Sequence, residues 1–520
     1  RVMREFFFPI AESLKKGLRR DKNKGRGLDE LSECKNMVPT PIGLVSPTTL
    51  TRVFSGEAIE HPFPQLMKGR STHLFGWKSA IYTVDPSDWS KTIDPTFNPT
   101  TEASETITVG GPWHRADFYD TYFLFNGACN VFKTNRNAMT GGSEKTYVNK
   151  TISVNTGCNF MESLVIGGFD PSNFWTSAWT TFWTGLADDN AHGIDTSSLD
   201  MKSNFVFWSC PGGGGTLFPL LETLGEEGYT DGSYYKDGTA NRDFILDWIK
   251  REDGYDWAPV PWKGTVQKLL PLGKNLIVYG DEGIAVMRRA TSPISTFSME
   301  RIADFGIPSR GAAGGSDEGH VFIDTTGKLW TIHPNLELKQ HGYSEFFAPM
   351  MGREIIIERS DEAKESYVCD GTKCYVMRDG GGLYEQTDAL PTSIIFFDGG
   401  HEYIGQGNVS TTMTAKTMPF DMGFSPQKTL TQIDLFYNNI TSVQARVWSR
   451  YEKGGAWTAL PWQSVNDFGV VNPNIAGIEF QVEVTGTDAG NGSFDEMQVH
   501  YKSHDRRLVR GALRPEMQSR

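Results

Sequence analysis

The chain has 520 residues, of which 38% are hydrophobic, 22% charged and 12% aromatic, and its formal charge is −13 at pH 7. That apolar content supports a sizeable core and excludes wholesale disorder. No apolar run approaches the ~18 residues that would span a bilayer as a helix, and at ~150 residues per domain the length suits three or four domains, or one large repeat domain with attachments.

The charge is unevenly placed. Residues 1–36 hold ten Lys and Arg against six acids, and residues 502–520 hold six against two. With each end at +4 and the whole at −13, residues 37–501 carry −21. Such an acidic body argues against tight wrapping of nucleic acid, because phosphate contact needs cationic side chains. It suits a surface past which DNA moves without adhering.

In chain order, residues 1–70 read as an extended docking segment, Pro- and Lys-rich, that lies against something else. Its opening carries Arg1, Arg4 and Glu5, and the apolar stretch ends at Ala11, which is not the pattern of a secretory signal. A first residue that is Arg fits a piece of a longer gene product. Helix signals are scarce: residues 4–20 are interrupted by Pro9 and Gly17. Four segments then share one pattern, an apolar run, a tight turn with Gly, and a second apolar run. They are residues 121–132, 275–287, 319–332 and 366–377. Each reads as a β-hairpin whose Gly takes positive φ. Gly283, Gly327 and Gly371 recur at intervals of 44 residues, the size of one β-propeller blade (~40–45 residues). Gly127 lies outside that phase.

A four-stranded blade cannot bury both its faces alone, and stacking blades around an axis hides them. Further apolar runs at His73–Val84, Leu164–Phe169, Phe205–Trp208 and Ile394–Ile404 fill the circuit. The stretch around 135–260 departs from regular blades. Within it, Trp175, Trp179 and Trp183 suit one face of a helix, either as a packed aromatic insertion or as a stacking platform for sugar or base. Asn241–Asp243 followed by residues 244–252 resembles a capped helix ending at Gly254.

After Gly407 the chain alternates polar and apolar residues. Strands are expected at 430–437, 441–448, 476–485 and 494–501, with turns at Asn438-Asn439, Lys453–Gly455 and Ala489–Gly492. The fold class is therefore mainly β: a β-propeller with insertions over residues 71–407, a small antiparallel β-sandwich over 408–503, and a basic C-terminal arm over 504–520.

Motifs that carry chemistry are missing one after another. There is no G-x-S-x-G elbow. Pro211–Thr216 is Gly-rich but lacks the Lys of a phosphate loop, and His401-Glu402 does not continue into a zinc motif. Cys369 and Cys374 flank Asp370–Lys373 and could face each other across a hairpin. Without a CxxC pair they read as free thiols of a protein assembled in a reducing cytoplasm. His500 and His504 have a loose metal spacing at a strand end. Asp324–Trp330 superficially resembles the Asp-box of sialidases, but its Asp and Gly are one residue too far apart, so Asp324 reads as a turn cap. The acidic pairs Asp253 with Asp256, and Asp317 with Glu318, lie in Gly-rich loops. The expectation is no catalytic residue, no cofactor and no metal.

The order of features resembles a known family. Residues 34–44 (Cys-Lys-Asn-Met-Val-Pro-Thr-Pro-Ile-Gly-Leu) form a Pro-rich opening. An acidic propeller follows, with Leu276–Met287 and Phe305-Gly306-Ile307-Pro308-Ser309-Arg310-Gly311 running into the His320 hairpin. The β-sandwich closes with Gln498–Lys502 and Arg506-Arg507. This is similar to the tail nozzle or DNA-stabilisation (tail hub) proteins of short-tailed bacteriophages. The resemblance implies a virion structural protein and no enzyme, assembled in the host cytoplasm as a homo-oligomeric, hexameric ring. It implies portal or adaptor and tail fibre proteins as partners, and DNA passing through a lumen without sequence-specific binding or any membrane. The alternative on the residues alone is a glycan-binding or glycan-hydrolysing β-propeller with the Trp175–Trp183 cluster as its platform.

Overall fold

The computed structural model describes residues 5–9, 14, 16–18, 30–53, 65–67, 73–77, 80–85, 87, 91–93, 111–118, 121–128, 130–134, 145–149, 154–169, 203–208, 256–290 and 297–503, apart from a few loop positions in the last stretch. Among these residues seven blades succeed one another: five are separate sheets of four strands, one is a sheet of three, and one is a run of four strands within a larger fifteen-stranded sheet. Blade 1 spans Gln65–Met67 to Lys91–Ile93, and blade 2 His114–Phe118 to Lys145–Asn149. Blade 3 spans Val154–Phe160 to Asp256–Pro259, and blade 4 Val266–Leu272 to Phe297–Ala303. Blade 5 spans Ala313–Ser316 to Leu338–Gly342, and blade 6 Ile356–Ser360 to Leu383–Gln386. Blade 7 consists of Leu390–Phe397, Gly400–Gln406 and, far back in the sequence, Leu50–Arg52.

The first strands of blades 2 to 7 each lie beside the next one in turn, and the first strand of blade 7 lies beside that of blade 1. The strands therefore circle a common axis, and the molecule is a β-propeller. Second strands are sandwiched between neighbouring blades and are mostly apolar. Ser163–Phe169, Gly319–Ile323 and Glu365–Cys369 are buried throughout. Outer strands such as Phe297–Ala303 and Leu338–Gly342 alternate toward solvent.

All four hairpins expected from the glycine turns are present, each as the second and third strands of a blade. Gly127, Gly327 and Gly371 take φ of 79°, 81° and 77°. Gly283 does not belong with them. It is glycine because a Cβ there would lie 2.6 Å from Trp262 Cε3, and one at Gly280 would lie 2.5 Å from Trp262 Cζ2. The Trp262 ring is seated on two bare backbones. The irregular stretch around 135–260 contains a regular blade after all, blade 3. Its second and third strands, and its third and fourth, are separated by long connections, which is why no period is visible there.

The C-terminal domain also departs from the expected strand count. Lys428–Arg450 and Glu479–Ser503 are two long strands paired along nearly their whole length. Asn438-Asn439 and Ala489–Gly492 are not hairpin turns but the bend of this ribbon. Register shifts occur there, and Asn439, Ser442, Gly490 and Asn491 take positive φ, as bulged strands do. The bend lets Leu430, Ile433 and Leu435 share one core with Val443, Ala445, Val447, Phe480, Val482, Val484 and Val499.

Residues 5–9 and 31–53 of the extended opening dock onto this chain itself. Glu5–Pro9 pairs with residues 498–502, where Phe6 stacks on Tyr501. Leu31–Lys35 pairs with the last strand of blade 6 on one side and with Thr412–Thr417 on the other. Blade 6 and the C-terminal ribbon are thereby one continuous sheet. Leu50–Arg52 completes blade 7 by parallel pairing. These extended pieces join elements that lie more than 300 residues away.

Candidate functional site

Asn36 sits where three parts of the chain meet. It is buried and holds a φ of 52°, a left-handed conformation that Asn tolerates better than most residues. Its amide nitrogen donates to Thr412 O (2.8 Å) and Thr387 Oγ1 (2.7 Å). Its amide oxygen accepts from Thr387 N (2.8 Å) and Gln386 Nε2 (3.1 Å). One side chain thus joins the opening segment, blade 6 and the Thr412–Thr417 strand that pairs with the C-terminal ribbon.

Neighbouring blades are bonded through polar side chains on or near the first strands. Asn155 Nδ2 donates to Val266 O (2.9 Å), and Leu269 N to Thr156 Oγ1 (3.0 Å), joining blades 3 and 4. Lys268 Nζ donates to Ala313 O (2.6 Å), joining blades 4 and 5. His320 Nε2 meets Pro271 O at 2.7 Å and its Nδ1 meets Tyr279 Oη at 2.9 Å. A carbonyl can only accept, so Nε2 carries the proton and Nδ1 accepts from the tyrosine. Burial pulls the His320 pKa down to about 4; the Pro271 carbonyl pulls the other way and the Lys268 and Arg359 charges reinforce burial.

The same strands carry a cluster of charged groups toward the axis: Lys268 in blade 4, Glu358 in blade 6, His114 in blade 2, and Arg310 and Glu354 in the loops leading into blades 5 and 6. Each retains some solvent contact while the protein crowds around it, as expected of groups lining a narrow channel. Arg310 reaches to blade 2. A Cβ on Gly111 would lie 2.2 Å from its Nη2, and one on Gly127 2.4 Å from its Nη1, so two glycines form the seat of the guanidinium. Burial dominates the acid–base behaviour. It pushes Glu358 up to about 6 against the pull of Lys268, and raises Glu354. Burial lowers Lys268 against the Glu358 and Glu354 charges, and holds His114 well below its ordinary value, helped by Lys268 and Arg310. The cluster balances two cations, Lys268 and Arg310, against two carboxylates, Glu358 and Glu354.

A second polar feature lies on the C-terminal ribbon. Arg446 makes a two-pronged pair with Glu483 (2.7 and 2.9 Å), which also accepts from Trp448 Nε1 (2.7 Å). The Arg446 guanidinium stacks 4.4 Å from the Trp462 ring centre and 4.9 Å from that of Trp448, whose ring also lies 4.0 Å from Lys416 Nζ. Alternation along the strand places Arg446 and Trp448 on one face, and their mutual stacking stiffens it.

The residues singled out in the sequence are scattered. Trp175, Trp179, Trp183, Asp253, residues 244–252 and His504 lie outside the described residues. Glu318 pairs with Lys364 of blade 6. His500 Nε2 is 2.7 Å from Asp434 Oδ2. Among the described residues no group of three or more His, Cys, Asp or Glu is placed to hold a metal. Asp324 is the turn cap expected of it. Its Oδ1 accepts from Thr326 N (2.8 Å) and Lys328 N (3.0 Å), and its Oδ2 from Trp330 Nε1 (2.8 Å). Cys369 and Cys374 do face each other across their hairpin. Sequence reasoning missed Asn36, Arg310 and the axial charges. The available signal was a charge inside the apolar runs 266–270 and 355–358.

No protein-family model matches the chain, and no curated protein matches it. Among solved structures it is similar to the WD40 domain of Neurospora crassa Pan2, at 8% identity and a TM-score of 0.35, covering 71% of this chain and 91% of that one. It is also similar to PorZ, a surface component of the type-IX secretion system of Porphyromonas gingivalis, at 8% identity and a TM-score of 0.33, covering 71% of this chain. The match spans 36% of the PorZ chain. A third is apo AztD from Citrobacter koseri, at 10% identity and a TM-score of 0.30, covering 72% of this chain and 94% of that one.

Proposed function

We propose that this protein is a virion structural component, the tail nozzle or tail-stabilisation ring of a short-tailed bacteriophage. In this reading copies of the chain form a hexameric ring that closes the DNA exit channel below the portal and adaptor, and they contact tail fibre proteins. The observation that carries it is the continuous sheet built from blade 6, the opening segment and the C-terminal ribbon. A propeller stitched to its neighbouring domain by backbone pairing is a rigid block, suited to transmitting load between ring neighbours. The narrow axis crowded by Lys268, Glu358, His114, Arg310 and Glu354 supports the same reading, because DNA would pass between copies and not through a propeller. The −21 charge of residues 37–501 would keep a phosphate backbone from adhering to such a lumen.

The test is direct imaging of the purified protein by negative stain, together with labelling of the intact particle. Six-fold rings and a label at the tail tip are expected. A monomer that retains or hydrolyses an oligosaccharide would overturn the proposal in favour of a glycan-directed propeller.

A further inference from the structure

Cys369 and Cys374 are the last cross-strand pair before the turn of blade 6. One step nearer the tip, Asp370 N donates to Lys373 O at 3.1 Å. Pairs alternate along an antiparallel ladder, so the two cysteines occupy a non-hydrogen-bonded pair, where Cα atoms lie ~4.5 Å apart. Disulfides bridge Cα separations of ~4.4–6.8 Å. The two Sγ atoms are 2.8 Å apart, and both residues are free thiols. The turn that follows holds its shape without them: Asp370 Oδ1 accepts from Thr372 N and Lys373 N, and Oδ2 accepts from Arg353 Nη1. Closing a sulfur–sulfur bond therefore needs little backbone movement.

We propose that Cys369 and Cys374 form an oxidation site, a cross-strand disulfide that clips the outer hairpin of blade 6 when a small hydroperoxide reaches it. One thiol, as its thiolate, attacks a peroxide oxygen and breaks the O–O bond, giving a sulfenic acid and, after proton transfer, the first water. The second sulfur then attacks the sulfenic sulfur. The S–S bond forms, the S–O bond breaks, and the departing hydroxide takes the second thiol's proton as another water. The sulfur pair loses two electrons and the peroxide gains them.

Burial explains the choice of oxidant. Cys369 is 2% and Cys374 0% exposed, so a bulky disulfide cannot approach, while hydrogen peroxide needs only a local opening beside the exposed Thr372 and Lys373. Burial pushes the Cys369 thiol up, so the reaction is slow and the pair stays reduced through assembly in a reducing cytoplasm. The timing, closure after release into an oxidising medium, rests on the virion reading. The chemistry does not.

The intact protein is exposed to hydrogen peroxide without denaturant, then denatured, alkylated and digested with trypsin. Cleavage after Lys364, Lys373 and Arg378 separates the two cysteines. The expected product is Glu365–Lys373 joined to Cys374–Arg378, unalkylated and released by dithiothreitol. Amide exchange over residues 366–377 should slow on oxidation and recover on reduction. In Cys374→Ser the linked product should vanish and Cys369 should move on to sulfinic acid. Two separately alkylated peptides, or independent over-oxidation of both cysteines in the wild-type chain, would overturn the proposal. A linked peptide in a protein that forms no ring overturns the virion reading alone, and rings whose cysteines never link overturn the clip alone.

Discussion

Replacing Asn36 by Ala is the sharpest perturbation of this architecture. The substitution deletes four hydrogen bonds, two donated and two accepted, all within 3.1 Å. A neutral hydrogen bond contributes about 1 kcal/mol net, and a buried partner left unsatisfied costs about 1–3 kcal/mol. Thr387 N, Thr412 O and Gln386 Nε2 would each lose a partner beside a residue that is 1% exposed. The backbone at φ 52° adds about 1 kcal/mol for a residue with a Cβ and no side-chain amide. Several groups can relax toward one another, so the net loss is about 4 kcal/mol. Equilibrium denaturation of Asn36→Ala should show that loss. Hydrogen exchange should quicken together at 383–386 and 412–417, because both strands are held through the same side chain. Asn36→Gly removes the conformational part and should be milder than Ala by about 1 kcal/mol. A loss below about 1 kcal/mol for Ala, or faster exchange on one side only, would refute the idea that Asn36 joins the two domains.

Gly327→Val should cost about 2–3 kcal/mol in a thermal or denaturant melt, since φ is 81° and the new Cβ would lie 2.8 Å from Ala348; an unchanged melting temperature contradicts the turn geometry. His320 gives a pH dependence. Its folded pKa of about 4 lies below the ordinary 6.5, so the unfolded chain binds the proton first as pH falls. Stability present above pH 6.5 should drop, by up to about 3 kcal/mol, as pH goes from 6.5 to 4, and His320→Gln should flatten that part of the stability–pH curve. Arg446→Lys keeps the charge but loses the two-pronged Glu483 pair and the flat stacking on Trp462; a loss of about 1–2 kcal/mol with a shift in tryptophan emission is expected, and behaviour identical to wild type would mean the stack is decorative.

Local features were legible in the sequence, and pairings distant along the chain were not. The hairpins of blades 2, 4, 5 and 6 could be read because each is a local event with a turn glycine between β-branched and aromatic runs. Gly283 gave the correct hairpin for a mistaken reason, since the period cannot distinguish a positive φ from a ring seated on the backbone. Asn438-Asn439 and Ala489–Gly492 carry the residues of hairpin turns, and the same residues serve a bulge in a bent ribbon. Their partners decide, and the partners lie about 50 residues away. Leu31–Lys35 and Leu50–Arg52 are short, and nothing local marks a strand that bridges two sheets or closes a ring in parallel. Lys268 and Glu358 look like ordinary solvated charges because a first strand facing a channel has no periodic signature of its own. The hidden role of Asn36 has the same cause: its partners Gln386, Thr387 and Thr412 sit 350 or more positions downstream.

Averaged electron-microscopic images of the purified full chain test the central claim most directly. The account predicts closed rings of six copies surrounding an open lumen, with each copy resolved as a disc fixed rigidly to a smaller β domain. Monodisperse single subunits at high protein concentration, or discs whose second domain takes variable positions, would contradict it.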